Sequence, residues 1–171
     1  SSDLISPTLV DMVMRGRLFG IAYAFYYVLA IALVIWVVFE FTPLGRRILF
    51  VGRLTTEKGI NVVLRAMTML DPALDVTFDI VGEGDQRRNL EQLAAQLGLA
   101  RRVVFHGHTS EEDLRALYSR ASVFAIASIA ELQSIATMEA MASGLPIVAA
   151  NAVALPHLVH DGENGYLFEP G

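Results

Sequence analysis

The sequence contains no cysteine, and this absence excludes two kinds of structure. No disulfide framework can hold the chain together, and no metal site can be built on thiolates. Positive charge is also scarce. The formal net charge is −5, and no basic stripe is present that could neutralise the phosphates of a nucleic acid. We therefore expect no nucleic acid among the partners.

Charge is missing altogether from one stretch near the amino terminus. Residues 18–39 contain no charged side chain, in a chain whose mean hydropathy is +0.48. A helix of that length measures about 33 Å, close to the thickness of the hydrocarbon core of a bilayer. The run is too long for the core of a signal peptide. We expect a membrane segment at 1–46 with one transmembrane helix at about 18–39; a fully buried core helix is the alternative.

From residue 47 onward, short apolar strands alternate with amphipathic helices. Strands are predicted at 48–51, 76–81, 103–105, 123–127 and 146–149, with a last short strand after the turn at 161–165. Helices are predicted at 59–70, 85–97, from Ser110 onward and at 134–142. This alternation is typical of a parallel sheet with helices on both faces. We therefore predict a single Rossmann-like α/β domain over residues 47–171. Ligands of such sheets bind beyond the carboxyl ends of the strands.

Glycine-containing loops follow the first two predicted strands. After the first, Gly52 permits a sharp turn, and Arg53 and Lys58 lie five positions apart. An arginine fork and a lysine point charge suit a diphosphate, although a solvated basic loop has the same composition. After the second, Gly82 and Gly84 precede a helix, where backbone N–H groups can face an anion. This turn lacks the third glycine of a dinucleotide-binding fingerprint.

Two carboxylates lie eight positions apart after the fourth predicted strand. Glu131 precedes the helix at 134–142, and Glu139 lies inside it. A carboxylate in the loop can accept hydrogen bonds from sugar hydroxyls, and one on the helix can accept them from a ribose. The peptide N–H groups around Gln133 and Ser134, where this helix begins, favour phosphate charge. By itself, such a pair of carboxylates is weak evidence for a sugar site.

Taken together, these strings resemble one known family in content and order. They are FVGRL and EKG within 50–59, VGEG at 81–84, the Glu131 and Glu139 pair, EAMASGLPIVA at 139–149 and DGENGYLF at 161–168. The set is similar to the C-terminal domain of family-4-type retaining glycosyltransferases of GT-B fold. The resemblance implies that residues 47–171 are a nucleotide-sugar-binding half of a GT-B fold. It also implies that the C-terminal helices of that domain are truncated.

The same resemblance implies roles for individual residues. Arg53 and Lys58 would hold the pyrophosphate and stabilise the leaving nucleoside diphosphate, which is electrostatic catalysis that needs no metal and no cofactor. Glu131 would bind the hydroxyls of the transferred sugar, completing the set of catalytic residues, and Glu139 would bind those of the ribose. The full set of substrate-binding residues would be Gly52, Gly82, Gly84, Gly107, Leu132, Gln133, Ser134, Ile135 and Glu139.

Two details concern the acceptor and the absence of a metal. The glycine-rich "FG" that usually follows the first glutamate is replaced by Leu132-Gln133-Ser134, which resembles variants among enzymes that glycosylate lipids. A lipid or glycan acceptor is therefore expected. His106 and His108 flank Gly107, the residue expected near the base, but no third ligand is close in sequence. No metal site is predicted.

The stretch around the apolar run is similar to a second family. FTPLGRRIL at 41–49 resembles the cytoplasmic loop of ribose-type ABC sugar permeases, and RGRLFGI at 15–21 is compatible with it. Both flanks of the apolar run are basic, so charge alone gives no orientation. The resemblance implies a single-pass membrane protein whose glycosyltransferase domain is cytoplasmic. A natural gene fusion and a recombined or misassembled gene both remain open.

Three functions are open on the sequence alone. The favoured one is the donor-binding domain of a hexosyltransferase, which binds a nucleoside-diphosphate sugar for retaining transfer. The alternatives are a membrane fragment of an ABC sugar permease and a non-catalytic nucleotide-sugar-binding module.

We predict that the 171-residue chain by itself transfers no sugar, because a GT-B reaction takes place between two Rossmann-like domains and the N-terminal acceptor domain is missing. The purified chain, incubated with labelled nucleotide sugars and with lipid or glycan acceptors, should yield no glycosylated product. Detectable transfer to any acceptor would contradict this prediction.

Overall fold

The computed structural model describes residues 28–35, 46–71 and 73–170. The strands are β1 (Arg47–Val51), β2 (Thr77–Val81), β3 (Val103–Gly107), β4 (Val123–Ile126), β5 (Ile147–Ala150) and β6 (Gly165–Phe168). The helices are α1 (28–35), α2 (Ile60–Met67), α3 (Arg87–Gln96), α4 (Glu111–Arg120), α5 (Ile135–Ala142) and α6 (Leu155–Leu158), with a 3-10 turn at Thr56–Lys58.

All neighbouring strands of the sheet run parallel, in the order β3-β2-β1-β4-β5-β6. The chain builds the sheet from β1 to β3 in one direction and then returns to add β4 to β6 in the other. Because crossovers between parallel strands are right-handed, this strand order puts α2 and α3 on one face and α4 to α6 on the opposite face. The predicted α/β parallel sheet is confirmed. Its strand order reverses between β1 and β4, which opens a crevice at their carboxyl ends.

The strands form because helices cover their apolar residues on both faces. β4 and β5 are buried along their whole length, as expected of parallel strands between two helical layers. Phe50, Phe78 and Phe124 are the largest fully buried side chains. The predicted beginning of α4 is also confirmed, because the Ser110 hydroxyl accepts a hydrogen bond from the Asp113 N–H at 3.1 Å. This bond satisfies one donor of the first helical turn.

Helix α1 is the described part of the apolar run. Ile31 and Ile35 are fully buried in the same core as the sheet, whereas Leu29 and Leu33 are largely exposed. Across the described ranges, no helix has both the length and the apolar character needed to cross a bilayer. Most of the transmembrane helix predicted at 18–39 lies outside the described residues. It therefore stays a prediction.

Backbone strain is located at Val153, in the turn after β5. Apart from glycines, it is the described residue with a positive φ, at 50°. A β-branched side chain is unfavourable in this left-handed region. The turn is linked to the loop after β4, because the Ala154 N–H donates to the Glu131 carbonyl at 3.1 Å. The strain therefore lies next to a predicted site residue.

We predict that Val153→Gly stabilises the fold by about 0.5–1 kcal/mol, because relief of left-handed strain exceeds the entropy that glycine loses on folding. Thermal unfolding followed by circular dichroism should give a midpoint higher by about 1–4 °C. The matched control is Val104→Gly on β3, a partly exposed valine at 43% without positive φ, which should lower the midpoint. An unchanged or lower midpoint for Val153→Gly would contradict the assignment of strain.

Candidate active site

The candidate site lies at the carboxyl ends of β1 and β4, where the strand order reverses. The loop after β1 approaches the end of β4 so closely that a Cβ on Gly59 would lie 2.3 Å from the Ala127 carbonyl oxygen. The backbones also bond there, since the Ile129 N–H donates to the Glu57 carbonyl at 3.1 Å. Gly59 has a φ of 64° and ends the 3-10 turn. This contact places the loop after β1 beside the loop after β4.

Lys58 and Glu131 form an ion pair across this contact, with Lys58 Nζ donating to Glu131 Oε1. Both side chains are largely buried, at 16% and 9% exposure. A largely buried carboxylate requires such a partner, because desolvation of an unpaired charge is unfavourable. The fold thus brings together two of the three residues that the sequence predicts to be catalytic, although they lie 73 positions apart.

Arg53, the third of these residues, is exposed. Within the described part of the chain its guanidinium has neither a hydrogen bond nor an ion pair. Besides Arg53 and Lys58, this loop carries one further charge, Glu57. The Thr55 hydroxyl donates to that carboxylate at 2.7 Å and is the main reason that the pKa of Glu57 is lowered, with smaller contributions from Lys58 and Arg53. Two cations and one carboxylate therefore line this loop.

Gly52, Gly82 and Gly84 hold two loops in direct backbone contact. A Cβ on Gly82 would lie 1.9 Å from the Gly52 carbonyl oxygen, and one on Gly84 would lie 2.2 Å from that of Leu54. The N–H groups of Gly52 and Gly82 donate to the carbonyls of Val81 and Gly107. These two donors are occupied by neighbouring strands. Loop packing alone therefore explains Gly82 and Gly84, and the predicted contact of all three glycines with substrate stays a prediction.

The end of β3 borders a separate hollow. Gly107 has a φ of 68°, and a Cβ there would lie 2.6 Å from Glu83 Oε1. A cavity of about 310 Å³ lies beside it, lined by His106, His108, Thr109, Ser110, Asp113, Ala116, Leu117 and Arg120. A second cavity, of about 410 Å³, opens near the amino ends of β5 and β6 between Pro146 and Gly165. It is remote from the crevice.

A charged cluster on β1 to β3 was missed by the sequence reasoning. The carboxylate of Asp79 is buried, at 2% exposure, and accepts from Arg47 Nη1 at 3.1 Å and contacts His106 Nε2 at 2.6 Å. A charged residue in the middle of the apolar strand TFDIV was the available signal. His106 is thus engaged with Asp79. Within the ranges that the structure describes, no group of three acidic, histidine or cysteine side chains is arranged to hold a metal ion.

Helix α5 begins at the crevice without a side-chain cap. Its N-cap residue, Ser134, is buried and its hydroxyl bonds to the Thr137 hydroxyl at 2.7 Å instead of to a backbone N–H. The first N–H groups of a helix have no partner within the helix. The side chains of Leu132, Gln133 and Ile135 are all exposed around this end. The beginning of α5 therefore presents backbone donors close to the Lys58–Glu131 pair.

Glu139 projects from the first turns of α5 and is held by a residue that the sequence did not suggest. The Tyr118 hydroxyl of α4 donates to Glu139 Oε2 at 3.0 Å. Glu139 is exposed, whereas Tyr118 is buried. Burial, and next the bond to Glu139, raise the pKa of Tyr118. Glu139 is therefore a carboxylate fixed at the surface by a buried phenol.

Comparisons of sequence and of structure both find similarity to glycosyltransferases. Residues 42–171 match the family described as "Glycosyl transferases group 1". An uncharacterised glycosyltransferase of Methanocaldococcus jannaschii is 39% identical over 125 residues, which are 73% of this chain and 32% of that protein. HepE of Anabaena, solved in complex with UDP-glucose, superimposes with a TM-score of 0.68 at 33% identity, over 74% of this chain and 35% of that one.

A third similar protein is the catalytic domain of cholesterol-α-glucosyltransferase from Helicobacter pylori. Its TM-score is 0.66 at 26% identity, over 74% of this chain and 77% of that chain. By contrast, the present chain spans about a third of the length of the Methanocaldococcus and Anabaena proteins.

We predict that Gly59→Ala destabilises the fold far more than Gly98→Ala. Both glycines have a positive φ, at 64° and 72°, so both variants lose left-handed freedom, at about 1–2 kcal/mol. Only Gly59 also faces a backbone oxygen at 2.3 Å, whereas Gly98 faces open space. Urea unfolding should show Gly59→Ala less stable than Gly98→Ala by at least about 1–3 kcal/mol, the range for overpacking. Equal losses would contradict the close contact between the two loops.

Proposed function

Because this chain belongs to the group 1 glycosyl transferases, we propose that residues 47–171 bind a nucleoside-diphosphate sugar as the donor-binding half of a retaining GT-B hexosyltransferase. One observation carries the proposal. Lys58 and Glu131 meet in the crevice between β1 and β4, which is where open parallel sheets bind their ligands. The family match includes residues 42–49, which favours this function over the permease alternative.

The diphosphate is the part of the ligand for which the site is best suited. Lys58 offers a compact charge, and Arg53 is exposed with no partner among the described residues. The uncapped beginning of α5 adds backbone donors and the positive end of a helix dipole. All three stabilise negative charge on a leaving nucleoside diphosphate more strongly as the glycosidic bond breaks. This is electrostatic catalysis aimed at developing charge.

Binding of the diphosphate changes the role of Glu131. In the described structure its carboxylate accepts from Lys58. A phosphate oxygen that takes the place of this carboxylate at Lys58 carries more negative charge and forms a charge-assisted bond. Glu131 is then released to accept hydrogen bonds from the hydroxyls of the transferred sugar. The ion pair therefore holds both side chains at the site until the donor arrives.

The remaining parts of the donor extend from this point along α5. Glu139 is exposed and accepts hydrogen bonds from the ribose in our proposal. The base lies near Gly107, beside the cavity of about 310 Å³. Gly52, Gly82 and Gly84 shape the wall of the site by keeping the loops after β1 and β2 in contact.

We further propose that the domain is tethered to the cytoplasmic face of a membrane and acts on a lipid acceptor. The charge-free run at 18–39 supports the tether. The exposed apolar side chains Leu132 and Ile135, next to Glu131, support an apolar acceptor. The similarity to a cholesterol-α-glucosyltransferase points in the same direction. A complementary acceptor domain is required for transfer.

We predict that the full 171-residue chain binds one of UDP, GDP and ADP in a saturable manner. Lys58→Ala should weaken that binding about ten- to hundredfold, because it removes a charge-assisted bond to phosphate. Glu139→Ala should weaken it as well. Isothermal titration calorimetry measures all three affinities, and circular dichroism checks the fold of each variant.

The matched control is Arg65→Ala, which removes an exposed cation from α2 and should change the affinity less than about twofold. Absence of binding to a folded chain would reject the proposed donor site. Equal losses of nucleotide affinity for Lys58→Ala and Arg65→Ala would mean that Lys58 contributes only through the overall charge of the protein. A non-catalytic nucleotide-sugar-binding module would show the same binding. To distinguish it from an enzyme, an acceptor domain from a group 1 relative is added, and transfer of sugar then identifies an enzyme.

A further inference from the structure

The contact between α4 and α5 joins a buried hydroxyl to an exposed carboxylate. Tyr118 is 4% exposed, and its ring packs against Phe124 of β4 with centroids 6.4 Å apart. Its hydroxyl donates to Glu139 Oε2 at 3.0 Å and has a second, more distant acceptor in the Ala136 carbonyl at 3.3 Å. The packing of the ring thus fixes the position of the oxygen, and the oxygen fixes one end of Glu139.

Core packing does not explain this hydroxyl. A buried hydroxyl destabilises the core unless it is hydrogen-bonded, and a phenylalanine would fill the same place beside Phe124 without that requirement. An exposed glutamate, for its part, loses rotamer freedom when it is held in one position. The burial of the hydroxyl and the loss of rotamer freedom at Glu139 both oppose the contact. A fixed orientation of the Glu139 carboxylate is what the contact provides in return.

The chemistry of the pair determines what Glu139 can recognise. A phenol has one proton to donate, and the carboxylate is the nearer and the charged acceptor of the two. Glu139 Oε1 has no hydrogen-bond partner among the residues that the structure describes. An ionised carboxylate only accepts hydrogen bonds. The free oxygen therefore suits a hydroxyl donor, and its direction is set by the bond at the other oxygen.

We propose that Tyr118 is a positioning residue, whose hydroxyl holds Glu139 so that the free carboxylate oxygen meets the ribose hydroxyls of the nucleotide. This inference rests on the proposed function, since it assumes that Glu139 binds the ribose. Tyr118 itself does not touch the ligand. Burial, and next the bond to Glu139, raise the pKa of Tyr118, which is the direction that favours its protonated, donating form.

The test compares a nucleotide with its analogue that lacks the ribose hydroxyls. The full 171-residue chain and its Tyr118→Phe variant are titrated with UDP and with 2′,3′-dideoxy-UDP, or with the corresponding pair of GDP or ADP if that base binds. The wild type should prefer the ribose form at least about tenfold. Tyr118→Phe should reduce this preference about fivefold or more and leave affinity for the dideoxy form within about twofold.

The outcomes separate this inference from the function on which it rests. If the folded wild type binds no nucleotide, the proposed function fails and takes the inference with it. If the wild type prefers the ribose form and Tyr118→Phe keeps that preference, only the positioning role is overturned. The positioning role is also overturned if Tyr118→Phe loses affinity equally for the ribose form and the dideoxy form, because a purely structural role of Tyr118 gives that result.

A measurement on the wild type keeps the inference testable if Tyr118→Phe does not fold. The chain has five tyrosines, and labelling with 3-fluorotyrosine gives each of them a fluorine resonance. The resonance of Tyr118 is assigned by replacing the other four in turn. It should shift on saturation with the ribose form and stay in place with the dideoxy form. A resonance that responds to neither or equally to both would overturn the positioning role.

Discussion

The close contact between the loop after β1 and the end of β4 is the constraint on which the rest of the site depends. These segments are distant in sequence, and they meet because the strand order reverses between β1 and β4. Gly59 makes the approach sterically feasible, since any Cβ would enter the Ala127 backbone. Its neighbour Lys58 is thereby placed against Glu131. A single backbone contact thus determines the geometry of the two charges.

Those charges explain how, in our proposal, a domain of net negative charge accommodates an anionic ligand. The local charge of the crevice matters more than the net charge of the chain. The cations of the loop after β1 and the positive beginning of α5 converge on this crevice. Glu131 neutralises Lys58 in the described structure, which avoids the unfavourable burial of a lone cation. In our proposal, the same carboxylate becomes available to a sugar once phosphate takes its place at Lys58. One residue therefore serves both stability and binding in our account.

Local patterns predicted the sheet well and long-range contacts poorly. Continuous apolar runs revealed the buried strands, and the serine that begins α4 was read correctly from its capping pattern. Helix α2 ends before the predicted residue 70 because its apolar periodicity continues into the turn that follows it, and α3 begins two residues after the predicted 85 because residues 85 and 86 form a turn. The Tyr118–Glu139 and Arg47–Asp79 bonds join residues 21 and 32 positions apart. No periodicity or spacing encodes such contacts, and only the folded topology reveals them.

The central claim is that Lys58 binds the diphosphate of the donor, and the sequence offers a direct way to test it. Lys58 is the only lysine in the chain, so that lysine labelled with ¹³C at Cε alone gives a single side-chain signal that needs no assignment. We expect this signal to shift and saturate as UDP, GDP or ADP is added to the folded protein, while sodium chloride at equal ionic strength leaves it unchanged. A signal that none of the three nucleotides moves would contradict the account.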